Sequence, residues 1–362
     1  MRSILLFVVL LLAACGGGPG QDVLVPTRVS ATASAQPPLR LFVATTRGHA
    51  PDQPLFFDNG RSQTVNYVSY DISIPPNHVP GAIEWPGDKA DPATDFVTTG
   101  RRDYDRRGFL NTLAAGRGKV NVSLYIHGYN NSMEDSVFRA AQIAKDADAG
   151  GVPILFAWPS VARATGYVAD RDAADFSRAA LAGLITDLAS NPRVGRLYVI
   201  GHSMGGRLTM EALMQLRLSG RTDVLRRTEV LLADPDIDQD LFWEQVRTVG
   251  KMPVPLSVMV APDDRALRVS QILAAGRERI GKIDLHDPTT IAKAQTYGVR
   301  LVDVSALETD GMAHSRIVQM ASLYSALPAA KPGTGLRRAG AFVFSTIGLG
   351  MTEIGSEMNR PR

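Results

Sequence analysis

The fold is decided by the stretch Arg196-Leu-Tyr-Val-Ile-Gly-His-Ser-Met-Gly-Gly206, which reads as the end of a strand followed by the start of a helix. Its apolar first half favours a β-strand, and residues 206–216 after it have a helical composition. Ser203 lies at the turn between Gly201 and Gly205. Glycines allow a turn so tight that the serine hydroxyl is presented above the sheet, as in a nucleophile elbow. The stretch therefore predicts a nucleophilic serine.

Length and composition place the chain among ordinary globular proteins. It has 362 residues, of which 45% are hydrophobic and 21% charged, and its formal net charge is +3. This length suits one large α/β domain with appendages or two smaller domains. The net charge is small and the arginine pairs are scattered, so we expect no nucleic-acid partner.

The N-terminus has the pattern of an export signal. A basic residue, Arg2, precedes the apolar run 4–12, which is too short to span a bilayer, and small residues follow it. Leu12-Ala13-Ala14-Cys15 resembles the bacterial lipobox, which implies a signal peptide over residues 1–14 and lipidation of Cys15. Gly16 after the cysteine implies, by the same resemblance, the outer membrane of a diderm bacterium, facing the periplasm. A plain cleaved signal with an incidental cysteine is the alternative.

Two further segments flank the predicted domain. Residues 15–38 are rich in Gly, Pro, Ser, Thr and Ala, which predicts a flexible tether. Residues 329–362 form a tail with a short apolar stretch that is too short and too rich in glycine to predict a transmembrane helix.

Between them, residues 39–328 alternate short apolar strands with helical patterns. This alternation predicts an α/β fold with a mostly parallel, doubly wound sheet flanked by helices. Extra N-terminal strands are predicted at 40–46 and 65–74, and the polar stretch 88–111 is predicted to be a loop. In such a sheet, functional residues gather at the carboxyl ends of the strands.

A nucleophilic serine needs a base, and the base needs an orienting acid, in the chain order serine, acid, histidine. His314 and His286 are the histidines that follow Ser203. His314 comes after the last predicted strand and precedes the final predicted helix, so its loop opens over the carboxyl edge. We therefore predict that His314 is the base, with His286 as the alternative.

The acid is expected after the penultimate strand, where Asp263 and Asp264 stand side by side. Asp264 is preferred, with Asp263 as the alternative, because the acid must be a carboxylate anchored at a strand end. A weaker set of alternatives follows the preceding strand, and its members are Asp234, Asp236 and Asp238. A turn and a helix start explain at least two of these without catalysis.

The oxyanion of an acyl-transfer reaction needs two backbone N–H donors. One is expected from Met204, directly after the nucleophile, and the other from Tyr129 in the loop after an early strand. His127 in that loop, with Trp158 and Tyr167 after the next strand, is predicted to line the substrate pocket. A structural role is the alternative for each of these three side chains.

Several segments together resemble one family of bacterial α/β hydrolases, the domain of unknown function DUF900, over roughly residues 40–327. They are Phe42-Val-Ala-Thr-Thr-Arg47, Ile126-His-Gly-Tyr-Asn130, Phe156-Ala-Trp-Pro-Ser160, Gly201-His-Ser-Met-Gly-Gly206, Ala233-Asp-Pro-Asp-Ile-Asp238 and Asp264-Arg-Ala-Leu267. The resemblance implies an α/β-hydrolase fold and a serine hydrolase whose triad is Ser203, Asp264 and His314. Pro262-Asp263 departs from the family's more usual polar residue before the aspartate.

The residues favour hydrolysis of a small carboxylic ester through an acyl-enzyme. Acyl transfer or amide cleavage in the cell envelope would use the same residues, and a non-catalytic envelope lipoprotein is the remaining alternative. The histidines lack metal-ligand spacing and no phosphate-binding loop follows the first strand, so we expect neither a metal nor a cofactor.

Overall fold

A computed structural model describes residues 20–27, 37–116, 118–147, 151–307, 314 and 316–318. The predicted signal peptide 1–14, Cys15 and the tail 329–362 lie outside these residues. The described part contains nine strands, with these bounds: β1 Leu39–Ala50, β2 Gln53–Ser73, β3 Val97–Tyr104, β4 Val120–Ile126, β5 Val152–Ala157, β6 Val194–His202, β7 Thr228–Ala233, β8 Leu256–Val260 and β9 Val299–Asp303.

All nine strands join one sheet, in the order β3-β2-β1-β5-β4-β6-β7-β8-β9. The first two pairs are antiparallel, and every pair from β1·β5 to β8·β9 is parallel. The predicted mostly parallel sheet with extra N-terminal strands is therefore confirmed. The carboxyl ends of its parallel strands share one edge, and the elbow at Ser203 lies there.

Helices cover both faces of the sheet. Their bounds are α1 Arg106–Leu113, α2 Met133–Ala147, α3 Tyr167–Ser190, α4 Met204–Leu218, α5 Thr222–Leu225, α6 Gln239–Val249, α7 Arg265–Leu273 and α8 Pro288–Tyr297. Strand residues alternate between the two resulting cores, as the pleat requires. On β5, Phe156 packs into the core that holds most of α3 and α4, whereas Leu155 packs into the core against α2.

The predicted loop over residues 88–111 is wrong in its second half, which contains β3 and most of α1. β3 pairs with β2 on one side only, so it is an edge strand and tolerates polar residues. α1 is short, but Asp105 caps it by accepting a hydrogen bond from the Gly108 N–H at 2.6 Å, and it buries Phe109 and Leu113 one turn apart.

The predicted tether 15–38 also contains a docked segment. Residues 20–27 pack against the domain, with Leu24 buried at 4% exposure and the Thr27 N–H donating to the Thr98 carbonyl of β3 at 2.8 Å. The composition of the stretch gives no signal for this docking, in which the half-buried Val23 joins Leu24 against the core. In the part of the chain that the structure describes, no helix has the length and apolarity that crossing a bilayer would require.

The turn between β6 and α4 is packed against the neighbouring strand β4. A Cβ atom built on Gly205 would lie 2.4 Å from the Ile126 carbonyl oxygen and 2.5 Å from that of His127. Both obstacles are backbone atoms, so a side chain at this position cannot be accommodated by a rotamer change. The absence of a side chain at Gly205 therefore lets α4 begin directly beside β4.

We predict that Gly205→Ala lowers the free energy of unfolding by about 3 kcal/mol, which is the upper end of the usual cost of adding a carbon atom to a well-packed core. Gly183→Ala is the matched control, because Gly183 lies inside α3 and a Cβ there meets no atom of the described residues within 4 Å. Alanine at that position is expected to stabilise the protein by up to about 1 kcal/mol. Urea unfolding followed by tryptophan fluorescence measures both, and equal effects would contradict the packing described.

Candidate active site

Ser203 is the single residue between β6, which ends at His202, and α4, which begins at Met204. Its φ of 54° and ψ of −118° lie in a region that residues other than glycine rarely adopt, and its N–H donates to the Ala233 carbonyl at 2.9 Å. The residue is only 4% exposed, and its Oγ makes no hydrogen bond to another described residue. Strain of this kind at a strand-to-helix turn is the geometry of a nucleophile elbow.

His314 is brought to the same edge and is held by Asp264. Its Nδ1 lies 2.6 Å from Oδ2 of Asp264, and its ring centroid is 4.9 Å from that of His202, the residue before Ser203. The other carboxylate oxygen of Asp264 caps α7 by accepting the Leu267 N–H at 2.8 Å. The fully buried Asp264 is thereby fixed at both oxygens, one for the helix and one for the imidazole.

The other carboxylates considered from the sequence have different partners. Asp263 is exposed and accepts a hydrogen bond from Nη2 of Arg316 at 2.6 Å. Asp238 caps α6 by accepting the Leu241 N–H at 3.0 Å. Asp236 is buried and accepts the Tyr167 hydroxyl at 2.8 Å. None of these three contacts is to His314, and His286 lies exposed before α8.

Asp234 is unlike its neighbours. It follows β7 with a φ of 45°, its side chain is fully buried, and neither carboxylate oxygen has a hydrogen-bond partner among the described residues. One of its oxygens, a ring nitrogen of His202 and a ring nitrogen of His314 all lie within 4.8 Å of one another. Sequence reasoning considered Asp234 only as an alternative acid, and it did not consider His202 as a partner of His314.

His202 anchors the backbone of His314. Its Nε2 lies 3.0 Å from the His314 carbonyl oxygen, so Nε2 carries the proton and donates it. Burial, followed by the charge of His314, lowers the pKa of His202 to about 3, and the ring is therefore neutral near neutral pH. The residue between glycine and serine in the elbow thus holds the loop of the predicted base.

The predicted oxyanion donors are the N–H groups of Met204 and Tyr129. Met204 is the first residue of α4, where backbone N–H groups have no partner within the helix. Neither N–H donates a hydrogen bond to another described residue. A Cβ on Gly128, which precedes Tyr129, would lie 3.1 Å from the Cβ of Ser203, so this loop passes directly over the elbow.

Asp170 and Arg47 hold the loop that carries Tyr129. The buried carboxylate of Asp170, in the first turn of α3, accepts the Asn130 N–H at 3.2 Å and the Ser160 hydroxyl at 2.6 Å. Arg47 at the end of β1 donates to the carbonyls of Asn131 at 2.8 Å and Ser160 at 3.1 Å. Burial lowers the pKa of Arg47 to about 10, which leaves it charged at neutral pH. These two residues were missed from the sequence as supports of the site.

The structure places the three predicted pocket side chains away from open solvent. His127 and Trp158 are fully buried and stacked, with ring centroids 4.7 Å apart, and Nε1 of Trp158 donates to the His127 carbonyl at 2.8 Å. Burial and the charge of Arg47 lower the pKa of His127 to about 3. Tyr167 is 7% exposed and also lies 3.0 Å from the Ser270 hydroxyl. His127 and Trp158 brace the loops in this structure.

The electrostatics around His314 favour its charged form. Burial alone lowers the pKa of the ring, but the hydrogen bond to Asp264 and the charges of Asp264, Asp234 and Asp236 outweigh burial and raise the pKa to about 9. Burial raises the pKa of Asp234 to about 7. The imidazolium form of His314 is therefore stabilised beside the elbow, and the ring becomes a neutral base as the pH rises through about 9.

A metal ion fits this cluster poorly. Donor atoms on a zinc ion lie about 2.0–2.2 Å from it and hence roughly 3.3 Å from one another. The three donors of His202, Asp234 and His314 lie within 4.8 Å of one another without an ion pair between either ring and Asp234, and Nε2 of His202 is committed to a carbonyl. The expectation of no metal and no cofactor stays a prediction.

A surface cleft of about 670 Å³ lies elsewhere, between β2, the end of β3 and the middle of α3. Tyr67, Tyr104 and Asp187 line it, and it contains none of the residues of the elbow. The cleft is therefore not part of the candidate active site at Ser203.

These features, a parallel sheet with a strained serine elbow at its carboxyl edge and an aspartate-bound histidine beside it, define an α/β hydrolase. A family model described as "Alpha/beta hydrolase of unknown function (DUF900)" matches residues 106–331, more than half of the chain. The chain belongs to this family, and the resemblance inferred from its motifs is confirmed.

Solved structures similar to the chain include several esterases. Est1E from Butyrivibrio proteoclasticus is 10% identical with a TM-score of 0.37, covering 72% of this chain and 94% of its own. Esterase Est22 is 14% identical with a TM-score of 0.39, covering 90% and 86%. A Pyrobaculum calidifontis esterase is 15% identical with a TM-score of 0.33, covering 59% and 78%. Likenesses this remote add nothing to the family assignment, and no curated protein matches the chain.

We predict that ¹³C-histidine NMR finds the His314 ring titrating with a pKa of about 9 in the wild type. Asp264→Asn removes the hydrogen-bonded charge that does most to raise the pKa of His314, so that pKa is expected to fall well below its wild-type value. His127 and His202 stay neutral in both proteins. A wild-type His314 signal that titrates near 6.5 and is unmoved in the variant would contradict the pairing.

Proposed function

We propose that the protein is a serine hydrolase that cleaves small carboxylic esters through an acyl-enzyme, with Ser203, His314 and Asp264 as its triad. The observation that carries the proposal is the 2.6 Å contact between His314 Nδ1 and Asp264, made beside the strained elbow of Ser203. A carboxylate that fixes one ring nitrogen leaves the other, Nε2, free to accept a proton.

The reaction follows from this arrangement. Ser203 Oγ forms a bond to the ester carbonyl carbon while its proton passes to Nε2 of His314. The tetrahedral intermediate then expels the alcohol, which takes that proton from His314. Water then attacks the acyl-serine carbonyl carbon and gives a proton to His314. The second tetrahedral intermediate breaks its bond to Ser203 Oγ, which takes that proton back from His314, and the carboxylic acid leaves.

The N–H groups of Met204 and Tyr129 are proposed to bind the oxyanion. Their lack of hydrogen bonds to other described residues supports this role, as does the position of Gly128 over Ser203. Asp170 and Arg47 keep the Tyr129 loop in place, so the donors need no reorganisation when charge develops. That Ser203 Oγ has no hydrogen bond within the described residues is compatible with catalysis, because such contacts often tighten only when substrate is bound.

We further propose that Cys15 is lipidated and holds the protein in the bacterial cell envelope, at the outer membrane. The docked segment that begins at Gly20 gives this proposal a geometric consequence. Five peptide steps separate Cys15 from Gly20, which span at most about 18 Å. A lipid on Cys15 would therefore keep the face that carries β3 close to the bilayer.

We predict that Ser203→Ala abolishes both ester hydrolysis and labelling by a fluorophosphonate probe, with kcat falling by about five to six orders of magnitude. Asp264→Asn is expected to lower kcat by about 10⁴-fold, because the imidazole loses its orienting partner. Asp263→Asn is the matched control and keeps most of the activity, since Asp263 pairs with Arg316 instead.

A panel of p-nitrophenyl esters of graded acyl length measures these rates. Wild-type protein that is folded yet neither hydrolyses the panel nor reacts with the probe at Ser203 would overturn the proposed function. Equal losses in Asp263→Asn and Asp264→Asn would refute the choice of acid.

We predict that the full chain, produced in a diderm bacterium, incorporates an alkyne-tagged palmitate and that Cys15→Ser does not. Ser203→Ala serves as the control and keeps the label, because acylation at the N-terminus does not need the enzyme's own elbow. Mass spectrometry of the mature N-terminus reads the result, and an unlabelled wild type cleaved elsewhere would contradict lipidation.

A further inference from the structure

The side chain of Asp234 makes no hydrogen bond within the described part of the chain, although it is among the most deeply buried charges there. Its residue exposure is 0%, and its φ of 45° is unusual for a residue other than glycine. An unpaired buried carboxylate and a strained backbone each destabilise a fold. Features of this kind cluster at functional sites, where they aim or tune a reacting group.

The surroundings of Asp234 are the imidazoles of the active site. Its side chain lies within 4.8 Å of ring nitrogens of His202 and His314, outside hydrogen-bond reach but close for a charge in a buried site. The sheet fixes this proximity, because Ala233 pairs with His202 across β7 and β6 and its carbonyl accepts the Ser203 N–H. Asp234 therefore follows directly from the strand that buttresses the elbow.

We propose that Asp234 is a second carboxylate that serves His314, as a positioning residue that stabilises the imidazolium without touching it. The inference rests on the proposed function and deepens it. Asp264 orients the ring through a hydrogen bond, and Asp234 supplies negative charge without a hydrogen bond to it. When Ser203 gives its proton to His314, that proton stays on Nε2 until the alcohol leaves, and Asp234 neither accepts nor donates it.

The pH dependence of this arrangement involves a defined set of groups. His314 is faced by Asp264, Asp234, Asp236 and His202. Asp234 is faced in turn by His314, Asp264, Arg316 and Asp263. Burial raises the pKa of Asp234 to about 7, so its anion, which favours the imidazolium, becomes populated as the pH rises through neutrality.

The test uses the full chain with Asp234→Asn, which keeps the shape of the side chain and removes its charge. At a pH above the acidic limb, where His314 is neutral in both proteins, we expect kcat/KM to fall by up to about tenfold through kcat, with KM unchanged. We also expect the acidic limb of the pH profile and the NMR titration of His314 to move down together by about one pH unit, since one unit corresponds to a tenfold change.

Asp238→Asn is the matched control, because Asp238 lies in the same loop but caps α6, a role that asparagine also fills. It is expected to leave the acidic limb and the His314 titration where they are. If Asp234→Asn fails to fold, Asp234→Ser provides the same readouts with a smaller uncharged side chain.

Two outcomes overturn the proposal. Either a folded Asp234 variant titrates His314 as the wild type does, or it loses activity with no movement of the pH profile, as a merely structural residue would. Failure of the proposed function is distinguishable, because wild-type protein without Ser203-dependent hydrolysis still reports the effect of Asp234 on the His314 signal.

Discussion

The structure depends on one steric constraint, the close approach of α4 to the end of β4 at the turn that carries Ser203. Gly205 lies against two backbone carbonyls of the β4 end, and Ser203 takes a positive φ between them and Ala233 of β7. Three adjacent strand ends thus meet around one serine. The loops after β4 and β7 are consequently fixed relative to the elbow, and so are the groups they carry.

Most of the buried carboxylates at the carboxyl edge of the sheet have a distinct hydrogen-bond partner. Asp170 holds the Tyr129 loop, Asp236 binds the Tyr167 hydroxyl, and Asp264 joins a helix cap to His314. Buried cations accompany them, among them Arg47, which donates to two loop carbonyls. Asp234 is the exception among these carboxylates, and its lack of a hydrogen bond to any described residue makes it a candidate for tuning the imidazole.

The local sequence pattern was sufficient to predict the parallel part of the sheet, the turn that carries Ser203 and the family. The apolar run that ends at Ile200 is predicted to be a strand and lies within β6, because a short apolar run fits a strand of a parallel sheet that is buried on both faces. β3 and α1 could not be predicted, since an edge strand needs no apolar residues and α1 is stabilised by one cap and two buried side chains. The docked segment 20–27 could not be predicted for the same reason, because its apolar contacts are limited to the buried Leu24 and the half-buried Val23.

Within the site, position along the chain favoured Asp263 or Asp264 as the acid over the three aspartates that follow β7, and three-dimensional contacts distinguish Asp263 from Asp264. Asp264 meets His314 and Asp263 meets Arg316. Arg47 and His202 lie in segments that resemble the family, but their contacts, like those of Asp170, are made to loops distant in sequence, which no local motif reveals. The positive φ of Asp234 could not be predicted either, because an aspartate after a strand is ordinarily a turn residue.

The most direct test of the account is a crystal structure of the protein inactivated by a small alkyl fluorophosphonate. We predict phosphorus bonded to Ser203 Oγ, its phosphoryl oxygen about 2.7–3.1 Å from the N–H groups of Met204 and Tyr129, and Nε2 of His314 facing the adduct with Asp264 still on Nδ1. Phosphorus on another side chain, or a phosphoryl oxygen turned away from both amides, would contradict the account.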